Sequence, residues 1–220
     1  VSGAVIVDLI VLAGGRGRRL DGAVKPAVEV AGRTLLSRVL DARTLVRHVV
    51  IVGPETAHLA AGDTPAGSTP AVWALEDPPF GGPVAGIAAG LTALTATDLP
   101  DWVLVLACDL PWAADATRTL LPHLTDPTLP ASVQGLYLTD TDGHAQWLTA
   151  AYRLDALTAA MSRLGARAHG ASMRELLGSL VLRGIHDDTN AATDVDTWQD
   201  VLESTARLTG ATDSTRSTIE

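Results

Sequence analysis

The chain holds one cysteine, Cys108, among 220 residues, which excludes an internal disulfide framework and every multi-cysteine zinc or iron–sulfur site. A reducing cytoplasm fits that composition. A basic face is also lacking: the formal net charge is −9 and the acidic residues are not gathered in a tail, so no nucleic-acid partner is expected. There is no long hydrophobic run. The stretch VIVDLIVLAGG is broken by Asp8, is preceded by no basic residue and is too short to span a bilayer, so it reads as a buried strand and no membrane association is expected. Lysine is nearly absent, with Lys25 standing alone in a total of 16 lysines and arginines.

What is present is apolar. Hydrophobic residues make up 47% of the chain, enough for one substantial core. Residues 1–208 are expected to form a single domain, and 209–220 a polar, aperiodic tail. β-rich runs at Val5 to Leu12, Val49 to Val52, Ala71 to Leu75 and Val103 to Ala107 alternate with helical stretches at Thr34 to Leu45, Pro83 to Leu94 and Ala114 to Leu124. That alternation predicts an α/β fold of three layers, a mostly parallel sheet with helices on both faces. In the second half, Asp142-Gly143 marks a turn between SVQGLYLT and AQWLTAAY, a hairpin excursion onto the sheet. Helices at Arg153 to Leu164, Ser172 to Leu180 and Asp196 to Leu208, with a strand near Leu180 to Ile185, complete the pattern.

The run LAGGRGRRLDGAVKPAVEV follows a buried strand and precedes a helix, the place where open α/β sheets bind ligands. Gly14, Gly15 and Gly17 let the backbone approach an anion, while Arg16, Arg18, Arg19 and Lys25 add positive charge, a combination suited to a polyphosphate. The alternative is a tight turn with a solvated arginine face. Leu20 occupies the third glycine position of a dinucleotide fingerprint begun at Gly15, and no Gly-Lys-Ser/Thr follows, so neither a Rossmann oxidoreductase nor a P-loop ATPase is indicated. The lone lysine in this loop points to a task for a compact ammonium: bridging phosphates and stabilising the charge that builds as pyrophosphate departs.

VLVLACDLP places Asp109 after an apolar strand, at the same sheet edge as the glycine loop if the strands are parallel. A hard Mg²⁺ ion needs only one or two such carboxylates besides substrate phosphates; the alternative is an aspartate that caps the turn into Pro111. Asp77 and Gly82, in EDPPFGGPVAG, are candidates to contact a base or ribose, or else merely close a strand and open a small-residue helix. Asp196 with Gln199 three residues on reads as a capping-box-like start to the last helix, with Asp194 close by. His48, His58, His123, His144, His169 and His186 form no ligand-spaced pair, and Cys108, Trp112, Ser172 and Arg174 are given structural roles.

LAGGRGRRL followed by VKPAVEVAGRTLLSRVLDA, then EDPPFGGPVAG, VLVLACDLP and DVDTWQDV, resembles the molybdenum cofactor guanylyltransferase (MobA-like) family over roughly residues 5 to 203. The resemblance implies a Rossmann-like fold of the nucleotide-diphospho-sugar transferase kind. It implies nucleotide contacts from Leu12, Ala13, Gly14, Gly15, Gly17, Lys25, Asp77, Gly82 and Asp109, catalysis by Lys25, Arg19 and Asp109, and Mg²⁺ as cofactor on Asp109 and Asp196. GTP is the implied donor, molybdopterin the acceptor, and molybdoenzymes or other proteins of the cofactor pathway the partners. The family's loop usually reads Gly-x-Asp-Lys, whereas Val24 precedes Lys25 here. The open alternatives are a CTP-using molybdopterin transferase, a transferase for another phosphorylated metabolite, and a non-catalytic nucleotide-binding protein of the same fold.

Overall fold

A computed structural model describes residues 4–14, 18–63, 70–94 and 99–210. The strand-forming runs make β1 (Val7–Leu12), the short β2 (Glu29–Val30) and β3 (Arg33–Thr34), β4 (Val49–Val52), β5 (Val72–Ala74), β6 (Trp102–Ala107), β7 (Gly135–Thr139), β8 (Ala145–Arg153) and β9 (Leu182–His186). The helices are α1 (Leu35–Val39), α2 (Pro83–Ala93), α3 (Ala113–Leu124), α4 (Leu154–Leu164), α5 (Met173–Leu177) and α6 (Trp198–Thr209). Among the described residues no helix is long and apolar enough to cross a membrane.

The seven-stranded sheet runs β5-β4-β1-β6-β8-β7-β9. β1 pairs in parallel with β4 and β6, and β4 with β5. β8 is antiparallel to both β6 and β7, and β9 is parallel to β7, so among these strands β8 alone runs against the rest. The expected hairpin therefore lies within the sheet: its second strand is inserted beside β6. Asp140 shapes the turn by accepting the amides of Asp142 and His144 at 3.0 and 2.8 Å.

The central strands are apolar throughout because both of their faces are covered. Leu9, Val11, Leu104 and Leu106 pack on one side with Leu36 and Val39 of α1 and Leu120 of α3. Ile10, Leu12, Val103 and Val105 pack on the other with Ile87 of α2, Leu157 of α4 and Leu176 of α5. The predicted three layers are thus present. Asp8, which breaks the first apolar run, is fully buried and accepts two hydrogen bonds from Arg47 at 3.0 and 2.8 Å. α2 lies close on β1 because Gly90 carries no side chain: a Cβ there would sit 2.7 Å from Ile10 Cγ2.

Element bounds depart from expectation at several ends. The stretch Thr34 to Leu45 is not one helix: α1 gives way to a 3₁₀ segment, Leu40–Leu45. The helix expected from Asp196 begins at Trp198, capped by Thr197, whose side chain accepts from the amide of Asp200 while Asp200 accepts from Thr197 in return. The Asp196–Gln199 cap is therefore corrected by one residue, which leaves the Asp196 carboxylate free of capping duty. Of the expected tail, Thr209 closes α6 and Gly210 is its left-handed cap; residues 211–220 lie outside the described set.

Candidate functional site

Backbone ties bring the catalytic candidates together. The Cys108 amide donates to the Leu12 carbonyl at 3.1 Å and the Ala13 amide to the Val52 carbonyl at 2.7 Å, which aligns the carboxyl ends of β1, β4 and β6. The Val195 amide donates to the Asp109 carbonyl at 3.0 Å, drawing the segment before α6 across the end of β6. One carboxylate oxygen from each of Asp109, Asp194 and Asp196 consequently lies within 4.8 Å of the others.

Lys25 reaches this group from the segment after β1. It opens the 3₁₀ turn Lys25–Ala27, which is anchored by the buried Pro26. Its ammonium stands 2.6 Å from Asp109 Oδ2, with the two side chains only 13% and 15% exposed, and it also donates to Asp196 Oδ1. Arg19 donates to the other oxygen of Asp196 at 2.9 Å. Burial by itself lowers the Lys25 pKa, but the charge and hydrogen bond of Asp109, together with those of Asp196, outweigh it and hold the pKa above the ordinary 10.5. The group is thus a cation throughout the neutral range. Desolvation, then the charges of Asp109 and Asp196, raise the Asp194 carboxyl above its ordinary value.

The carboxylates are hard oxygen donors of the kind a divalent cation takes. Asp109 Oδ1 is buried with no hydrogen-bond partner among the described residues, while the ammonium already stands at the cluster as a positive charge. The donor set therefore fits Mg²⁺. It opens on a hollow of about 610 Å³ whose lining includes Leu12, Gly14, Lys25, Glu76, Gly82 and Asp109. Gly82 is the N-cap of α2 and has φ 85°, a conformation that favours glycine.

Most of the residues singled out from sequence meet here. Arg19, Lys25, Asp109 and Asp196 form one ion-paired group, and Leu12, Gly14 and Gly82 share its hollow. Ala13 is buried beside them. Gly15 and Gly17 lie outside the described residues. Asp77 is exposed and does not line the hollow; Glu76 does. Glu76 Oε2 accepts the Gly81 amide at 2.8 Å, and Oε1 is directed toward Gly14 and Gly86. Sequence gave no means of choosing between these adjacent acids. Asp194 joins the cluster, whereas Asp21, four residues before Lys25, accepts a hydrogen bond from Trp198 Nε1 at 2.9 Å. The Cys108 thiol is buried and its pKa is raised, first by burial and then by Asp109, which leaves it an unreactive core group. Ser172 caps α5.

The family described as MobA-like NTP transferase domain matches residues 9–182. The molybdenum cofactor guanylyltransferase of Rhodopseudomonas palustris (strain BisB5) is 37% identical over 113 residues, which are 47% of this chain and 48% of that protein. The chain thus spans about half the length of the curated relatives it matches. Among solved structures, molybdopterin-guanine dinucleotide biosynthesis protein A from Archaeoglobus fulgidus superposes with a TM-score of 0.67 at 19% identity, covering 92% of this chain and 99% of that one. The 4-diphosphocytidyl-2C-methyl-D-erythritol synthase of Anaerococcus prevotii gives 0.66 at 14% identity, covering 93% and 99%. At these identities the likeness is one of fold alone.

Proposed function

The chain belongs to the MobA-like NTP transferase family, and from that premise we propose that it transfers GMP from GTP to a phosphorylated acceptor, molybdopterin, with release of pyrophosphate. The observation that carries this reading is the meeting of Lys25 and Asp109 at 2.6 Å in the same hollow that Gly14 and Glu76 line. The names of the curated relatives support the choice of donor and acceptor.

The chemistry is an in-line displacement. A phosphate oxygen of the acceptor attacks the α-phosphorus of the nucleotide, the bond from that phosphorus to its bridging oxygen breaks, and pyrophosphate leaves with the electron pair. No covalent enzyme intermediate is needed. Asp109, with Asp194 and Asp196, would hold Mg²⁺, which when bound supplies positive charge to phosphate oxygens. Lys25 and Arg19 offset the negative charge of the triphosphate, and their effect is one of positioning and charge stabilisation. Glu76 is the base-reading group: with Oε2 occupied by Gly81, Oε1 is an acceptor for the N1–H and N2–H donors that guanine presents side by side.

The test is a pyrophosphate-release screen with Mg²⁺ that crosses GTP, CTP, ATP and UTP with molybdopterin and a panel of sugar and lactyl phosphates. Release with GTP and molybdopterin alone is expected. Release with CTP in place of GTP would reassign the donor. Tight nucleotide binding with no release for any acceptor would make the chain a nucleotide-binding protein and overturn the proposal.

A further inference from the structure

A second cavity, of about 660 Å³, lies between α1, the 3₁₀ segment Leu40–Leu45 and the first turns of α3, and shares no lining residue with the nucleotide hollow. Four arginines line it: Arg33, Arg38, Arg43 and Arg118. Two of these are neutralised. Arg33 bonds both oxygens of Asp41 at 2.9 and 2.8 Å, and Arg118 bonds Asp115 at 2.6 Å. Asp63, a third carboxylate in the lining, is exposed.

Arg38 and Arg43 are different. Arg38 is 8% exposed and spends Nε and Nη2 on the carbonyls of Val30 and Ala31, at 2.6 to 3.1 Å. Arg43 gives Nε to the Leu40 carbonyl at 3.0 Å, and its Nη1 is buried with no hydrogen-bond partner among the described residues. Neither guanidinium makes an ion pair among those residues. Burial lowers the pKa of both; the nearby charge of Arg33 adds to this at Arg38, and Asp41 partly opposes it at each. A buried charged donor left without a partner is costly, and a turn of the Arg43 guanidinium toward an anion in the cavity would remove that cost. Trp112, on whose ring Arg207 stacks at 3.7 Å, supplies an apolar wall.

We propose that this cavity is a second site, separate from the nucleotide hollow, that takes a small metabolite bearing phosphate or carboxylate groups, with the anionic end at Arg43 and Arg38 and the body against Trp112. The inference does not depend on the transferase reading. Its test uses the full chain labelled with 5-fluorotryptophan, with the Trp112 fluorine resonance assigned through Trp112→Phe. Inorganic phosphate, pyrophosphate and citrate are titrated separately in the presence of EDTA, without nucleotide. At least one should move the Trp112 resonance saturably, and the choice among them separates phosphate from carboxylate ligands. Arg43→Gln should weaken that binding about tenfold or more, the effect of losing a charge-assisted hydrogen bond, whereas Lys25→Ala should leave it. Should Arg43→Gln fail to fold, Arg43→Lys, which keeps the charge but loses the forked donors, is expected to weaken binding in the same direction. The proposal is overturned by the absence of any shift at millimolar anion, by unchanged affinity in the arginine variant that folds, or by a shift abolished by Lys25→Ala.

Discussion

The Val195 amide donates to the Asp109 carbonyl at 3.0 Å, and the Val195 side chain is fully buried with Leu20, Val28, Val30 and Leu35. These apolar neighbours come from the segments on either side of Lys25 and from α1. One small core therefore docks the 194–196 segment both to the end of β6 and to the lysine-bearing loop, and Asp194 and Asp196 flank the docked residue. Val195→Ala should cost about 2 kcal/mol, in the range of large-to-small core changes, as measured by urea unfolding. It should also lower turnover although no functional group is removed. Full activity at reduced stability would show that the docking does not position the carboxylates.

Lys25→Met removes the charge that Asp109 and Asp196 share. Because Lys25 and Asp109 are both largely buried, the orphaned carboxylates should destabilise the chain by about 2–3 kcal/mol in EDTA. Added Mg²⁺ should restore more stability to this variant than to the parent, by occupying the same carboxylates. Thermal melts with and without Mg²⁺ check this, and an identical Mg²⁺ response in both proteins would remove the metal from Asp109. Turnover should fall by roughly tenfold or more.

Much of this architecture was legible because periodicity and apolar runs report burial. β1, β4, β6 and the β7–β8 hairpin follow from that, and parallel strands bring the ends of β1 and β6 to one edge. Lys25 stood out through its rarity and Asp109 through its place after VLVLAC. What was not legible depends on packing between distant segments. The insertion of β8 between β6 and β7 leaves no local trace. Nor does the shift of the α6 cap to Thr197, since Asp196 with Gln199 and Thr197 with Asp200 are equally good capping pairs on paper. Only the bond from Val195 to Asp109 shows why Asp196 faces Lys25 and why Asp194 joins it.

Asp194→Asn should stabilise the chain without metal at neutral pH. The folded carboxyl has a raised pKa, so across the interval upward from the ordinary value the folded state binds more protons than the unfolded one, and stability falls as pH rises through that interval. The amide has no charge to develop. Its advantage over the parent should be small below pH 3.8, the ordinary value, and should grow to a plateau above the raised pKa. Urea unfolding at a series of pH values in EDTA measures it, and an advantage that does not change with pH would argue against charge crowding at Asp194.

Glu76→Gln tests base reading without dismantling the loop. The amide oxygen still accepts the Gly81 amide, now made to the carboxylate at 2.8 Å, so the entry to α2 should hold. The other carboxylate oxygen is replaced by an NH₂ group, which presents donors to the N1–H and N2–H donors of guanine. A buried donor facing a donor leaves both unpaired, at about 1–3 kcal/mol, so GTP affinity should fall by about tenfold or more. ATP, CTP and UTP, which lack that adjacent pair of donors, should change far less. Calorimetric titration of all four nucleotides decides the point: equal losses for all four would mean that Glu76 serves only to brace Gly81, and the source of donor specificity would then have to be sought elsewhere in the hollow.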